Sequence, residues 1–155
     1  MQIRIRRLAA HVALPRYQSR HAAGFDLAAR EPVVVEPGAV VLVPTGLVIE
    51  VPEHHALLIV ARSSLPIKKR LMVANGVGVV DADYRGPTDE VKVELYNFSG
   101  EPATIAEGER IAQGLIVPVV RASWLEVNEA SAPERGGFGS TGGYVTPTMP
   151  SISSE

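Results

Sequence analysis

Proline and glycine punctuate this chain too often for long helices. There are 12 prolines and 14 glycines in 155 residues, and they cut the sequence into short apolar pieces. Nine of those pieces are strand-like: Gln2–Arg6, Pro32–Glu36, Val40–Val43, Leu47–Val51, Leu57–Ala61, Glu90–Asn97, Ala103–Ile105, Leu115–Val119 and Trp124–Val127. Turn-forming clusters separate them, among them Glu36-Pro37-Gly38, Pro44-Thr45-Gly46 and Ser99-Gly100-Glu101-Pro102. Many short strands at regular spacing predict a sandwich, jelly roll or closed barrel. The length fits one domain with a single core. From about Ala130 the sequence turns to Ser, Gly, Pro and Thr, so residues 1–129 are expected to form the barrel and 130–155 a flexible arm.

Composition excludes several classes. The formal net charge of −2 gives no basic field for nucleic acid. The absence of cysteine excludes disulfides and thiolate metal sites and fits a reducing compartment. The longest apolar runs fall far short of a membrane span. The N-terminal MQIRIRRLAAHVALP alternates as a strand does and is expected to be mature, cytoplasmic protein.

The most unusual stretch is Asn75–Asn97, NGVGVVDADYRGPTDEVKVELYN. Two glycines open it, Asp81, Asp83, Tyr84 and Arg85 gather before Gly86-Pro87, and Val91, Val93 and Leu95 then alternate with Lys92, Glu94 and Tyr96. This pattern predicts a hairpin whose tip carries acids, an aromatic ring and bare backbone. Such a tip suits a flat polar ligand and acid–base work, although acids in a turn are more often simply solvated.

Other segments supply partners. Asp26 stands in the apolar run AGFDLAA, as one exposed acid on a strand or as a carboxylate for a hydrated divalent cation. Arg62-Ser63-Ser64-Leu65-Pro66 has the residue types of a short capped helix, with Lys68, Lys69 and Arg70 on a solvated side. Its free N–H groups and Arg62 would also suit a phosphate. Gln113 leads into an apolar strand, where a buried amide needs a partner. In RGGFGSTGG a lone Phe138 lies amid glycines, a composition that fits a linker or a loop wrapping phosphate under an aromatic cap. His11, His21, His54 and His55 show no metal spacing and are expected at the surface.

Taken in order, AGFDLAA, ARSSLP, NGVGVVDADYRG, GERIAQG and RGGFGSTG resemble the five motifs of the trimeric deoxyuridine triphosphatases (dUTPases), from Ala23 to Gly142. The resemblance implies a distorted jelly-roll barrel with one short helix and a mobile Gly-rich arm. It also implies a homotrimer with sites at subunit interfaces, Mg2+, and hydrolysis of dUTP to dUMP and pyrophosphate. By position, Asp81 looks like the general base and Gln113 like a partner of the α-phosphate. Arg62, Ser63 and Ser64 look like the phosphate cradle, Asn75, Gly78 and Val80 like the pyrimidine reader, and Tyr84 like the ring against the deoxyribose. Asp26 would hold magnesium through water; Phe138 would stack on the base; Arg135, Gly139, Ser140 and Thr141 would reach the phosphates.

The sequence departs from the family where Ala61-Arg62-Ser63-Ser64 replaces the usual Pro-Arg-Ser-Gly. Three extra residues, Pro87-Thr88-Asp89, precede the strand. Arg135 stands only three positions before Phe138. The related dCTP deaminases share Arg-Ser-Ser-Leu and place a catalytic Glu near Glu94, but carry an Arg where this chain has Ile67. A nucleotide-binding regulator without chemistry is a further alternative, and a β-rich assembly protein without a ligand another.

Overall fold

The computed structural model describes residues 1–137. The chain separates into two compact units, Met1–Arg121 and Ala122–Glu155, so the first unit ends before the change of composition near Ala130. Phe138, Gly139, Ser140 and Thr141 lie outside the described residues.

The first unit is all-β apart from one short helix, as its punctuation predicts. Its elements are β1 (Arg4–Arg7), β2 (Phe25–Ala28), β3 (Val33–Val35), β4 (Val40–Pro44), β5 (Leu47–Glu50), β6 (His55–Ala61), α1 (Leu65–Lys69), β7 (Leu71–Val73), β8 (Gly78–Val80), β9 (Lys92–Asn97), β10 (Ala103–Ile105) and β11 (Arg110–Pro118). They form a four-stranded sheet β2-β11-β6-β8, a three-stranded sheet β4-β9-β7, and the pairs β1-β5 and β10-β3. Every pairing is antiparallel. The result is a distorted jelly roll. Among the described residues, no helix is long and apolar enough to cross a membrane.

Alternation explains the core. On β9, Val93 and Leu95 point inward and are fully buried, while Lys92 is exposed. They meet Leu27, Val35, Val43, Leu57, Leu71 and Ile111 in one cluster. The amide at the end of β9 is also buried. Asn97 donates to the carbonyls of Val35 and Glu101, at 2.8 Å each, and accepts from the Ser99 N–H at 2.9 Å. It therefore joins β3 to the β9–β10 turn at little desolvation cost.

Two expectations are corrected. Trp124–Val127 forms no strand. Its Trp124 and Leu125 are exposed, and a strand without a hydrogen-bonded neighbour has nothing to hold it extended. The stretch from Asn75 onward is not one hairpin either. β8 pairs with β6 and β9 with β4 and β7, so Asp81–Glu90 crosses between two sheets. Gly78 suits the first pairing: a Cβ there would lie 3.1 Å from Ile59 Cβ, a tight contact that the bare backbone avoids.

Candidate active site

β2, β11 and β6 bring the first group of motif residues together. Gln113 on β11 stands opposite Asp26 on β2 and Val60 on β6. Asp26 is 6% exposed, which corrects the expectation of a solvent-facing acid on this strand. Burying a carboxylate requires partners, and two cations arrive from distant sequence. Arg110 Nη1 donates to Oδ2 at 2.9 Å. Arg62 Nε lies 3.1 Å from Oδ1. Its direction is poor for a hydrogen bond, so Oδ1 is buried without a donor. Arg62 also donates to the Arg110 carbonyl at 3.1 Å, which ties its guanidinium to β11. Two cations around one anion leave an excess of positive charge at a partly open wall, and that suits a polyphosphate.

Helix α1 follows directly. Ser64 is its N-cap, and Pro66 occupies the first turn as its fixed φ favours. The Ser64 side chain makes no capping bond. Behind the helix, Lys69 is not solvated as expected. It donates to the Thr104 carbonyl at 2.9 Å and pairs with Glu109 at 2.9 Å. Burial raises the Glu109 carboxyl, but the Ala106 N–H and Lys69 outweigh it and hold the group below its ordinary value. A carboxyl lowered in the fold stabilises it above the unfolded value, and the effect is lost as pH falls through the folded one. Glu109→Gln is therefore expected to lower the melting temperature at pH 7 by about 2 °C. The difference should vanish in acid; thermal melts across pH 3–7 measure it.

The second group lies elsewhere on the chain. Asp81 and Tyr84 are exposed, and the Asp81 side chain has no hydrogen bond or ion pair within the first unit. Asp81 opens onto a cleft it shares with Val79, Val80, Tyr84, Glu90 and Lys92. It also borders a second cleft with His54, His55, Asp83 and Arg121. Asn75 precedes Gly76, whose φ of 73° turns the chain from β7 into β8. The three extra residues close a turn of their own, in which Asp89 Oδ2 accepts the Gly86 N–H at 2.6 Å. Arg6 donates to Pro87 and holds that turn against β1.

These two groups do not meet within one chain. The row through Asp26 and Gln113 continues across β6 to the residue before Gly78. Asp81 is then three strands across and four residues along. At about 4.8 Å per strand and about 3.3 Å per residue, it lies roughly 20 Å from Asp26. Sequence spacing singled out Asp26, Arg62, Gln113, Asp81 and Tyr84. It did not single out Arg110, because only the fold brings it beside Asp26, 84 positions away. Glu94 is half-buried on β9, opposite Leu42, with no hydrogen-bond or ionic partner for its carboxylate within the first unit. Arg135 belongs to the second unit and is exposed.

The family model for dUTPase matches residues 10–142. The deoxyuridine 5'-triphosphate nucleotidohydrolase of Nautilia profundicola is 45% identical over 144 residues, covering 92% of this chain and 99% of that protein. That of Cytophaga hutchinsonii is 51% identical over 134 residues, covering 84% and 85%. The crystal structure of dUTPase from Streptococcus mutans superposes with a TM-score of 0.71 at 32% identity, covering 77% of this chain and 98% of that one. This chain belongs to the dUTPase family.

Proposed function

We propose that this protein is a dUTP diphosphatase, hydrolysing dUTP to dUMP and pyrophosphate at sites completed between subunits of a homotrimer. The observation that carries the mechanism is the contrast between two motif aspartates. Asp26 is buried between guanidiniums and serves binding, whereas Asp81 is exposed and, among the described residues, unpaired, free to take a proton. Arg62, Ser63 and Ser64 hold the phosphates and Gln113 the α-phosphate. Asn75 and the backbone of Gly78 and Val80 read the uracil edge, and Tyr84 covers the deoxyribose. Arg135, Phe138, Gly139, Ser140 and Thr141 close the site from a neighbouring chain. Asp81 orients a water and accepts its proton as the oxygen attacks the α-phosphorus. The bond to the bridging oxygen breaks, and pyrophosphate leaves.

Magnesium belongs to this proposal. Among the described residues no three His, Asp or Glu side chains gather to hold a metal. The residues present fit a cation held through water, because Asp26 Oδ1 is a buried acceptor without a donor. Bound there with the triphosphate, the ion would supply charge to the phosphate oxygens. The trimer reading is supported by two observations: the two halves of the site lie far apart within one chain, and the outer face of the β4-β9-β7 sheet leaves apolar side chains exposed, among the described residues, beside Lys92 and Glu94. Val40, Tyr96 and Met72 form one row across β4, β9 and β7, and Val40, Leu42 and Met72 are exposed. A cytoplasmic setting is part of the same proposal.

Parallel incubation with dUTP, dCTP, dTTP and UTP in magnesium tests the activity. We expect dUMP and pyrophosphate from dUTP, with the other nucleotides turned over at least about 10²-fold more slowly. Ammonia from dCTP would replace this proposal with the deaminase, Glu94 acting as its acid–base group.

A further inference from the structure

One buried carboxylate near the site has no part in the mechanism above. Glu90 ends the crossing that carries Asp81 and Tyr84, and its side chain is 9% exposed. Its Oε1 accepts the Gly46 N–H at 2.7 Å and Arg30 Nη1 at 3.2 Å. Next to it, the Thr45 hydroxyl donates to the Val91 carbonyl at 2.6 Å, and the Val91 N–H to the Leu47 carbonyl at 2.8 Å. The turn between β4 and β5 thus grips residues 90 and 91 through both side chain and main chain. Gly46 is suited to that grip: its φ is 70°, and a Cβ there would stand 2.5 Å from Val12 Cγ2.

The grip passes to the ring. The Glu90 carbonyl accepts the Tyr84 hydroxyl at 3.1 Å, and that is the hydroxyl's one protein partner within the first unit. Tyr84 is 42% exposed, so packing covers the ring only in part and this bond anchors its hydroxyl end. We propose that Glu90 is a positioning residue, whose buried carboxylate locks its own main chain against Gly46 and Arg30 and so holds the Tyr84 ring where a 2′-hydroxyl would clash. Discrimination between deoxyribo- and ribonucleotides then depends on a residue that touches neither. The inference rests on the assignment of Tyr84 to the sugar made above. Removing the carboxylate strips the acceptor from the Gly46 N–H, leaves Arg30 with Glu31 alone, and loosens the hold on the carbonyl.

The test compares kcat/KM for dUTP and UTP in Glu90→Ala, Glu90→Gln and Tyr84→Phe. It also follows Tyr84 by fluorine NMR in protein labelled with 3-fluorotyrosine. With four tyrosines in the chain, Tyr84→Phe assigns the line. Glu90→Ala is expected to lower the dUTP/UTP ratio about tenfold and to shift and narrow the Tyr84 line. Glu90→Gln keeps an oxygen for the Gly46 N–H and should restore most of the ratio. Tyr84→Phe should lose a similar factor, to which Glu90→Ala adds little in the double variant. If Glu90→Ala does not fold, Arg30→Met, which removes the ion pairs to Glu90 and Glu31 but keeps the Gly46 N–H on Glu90, takes its place with the same expected direction. A folded variant with an unmoved Tyr84 line, or an unchanged ratio while dUTP is still cleaved, overturns the proposal. If the wild-type protein does not cleave dUTP, the sugar assignment falls, and the fluorine line alone decides whether Glu90 positions the ring.

Discussion

Asp81→Asn is expected to lower kcat about 10³-fold while a non-cleavable dUTP analogue binds within about threefold of wild type. The substitution keeps shape and removes basicity, and an amide takes no proton from water at neutral pH. The structure makes it a clean change. Asp81 is exposed and its carboxylate bonds to nothing within the first unit, so the variant leaves no buried group unpaired and should melt at the wild-type temperature. Binding should hold or tighten, because a negative charge beside a triphosphate opposes the ligand before the reaction starts. Single-turnover rates and equilibrium titration measure the two effects separately. Equal losses in both would make Asp81 a binding residue and remove the base from the mechanism.

How far the sequence alone reaches depends on the range of the interaction. Strands with period-two alternation were legible: β9 lies within the expected Glu90–Asn97, β4 starts at Val40 and β5 at Leu47. Those signals come from neighbours two residues apart. β7 and β8 were not read from the sequence; β7 follows directly on α1 and β8 opens on Gly78, and their partners, β9 and β6, lie in different sheets. Trp124–Val127 misled because its composition is strand-like while a strand needs a partner. The site follows the same rule. Asp81, Tyr84 and Gln113 stand in local motifs. That Asp26 is buried followed only from Arg62 and Arg110 meeting it through three aligned strands. Glu90 looked like the first residue of a strand; its work depends on Gly46, 44 positions earlier.

The second large effect should appear on mixing. Asp81→Asn and Arg62→Ala are each expected to be nearly inactive as pure proteins. Unfolded together in equal amounts and refolded, they should recover about a quarter of wild-type activity if every site draws Asp81 and Arg62 from different chains. The fraction follows from chance: half the chains carry an intact Asp81, half an intact Arg62, and a working site needs one of each. The physical basis is distance. In-line attack needs reacting atoms at about 3–3.5 Å, while the two groups stand roughly 20 Å apart across the sheet β2-β11-β6-β8. No side-chain rotation closes that gap, and bending a hydrogen-bonded sheet to do so would expose the core around Leu57 and Ile111. Under the proposed trimer, a neighbouring copy would supply the missing group without bending the sheet. If instead the refolded mixture shows only the sum of the two residual activities, each chain must build its whole site alone. The aspartate that activates water would then be some residue nearer Asp26 than Asp81.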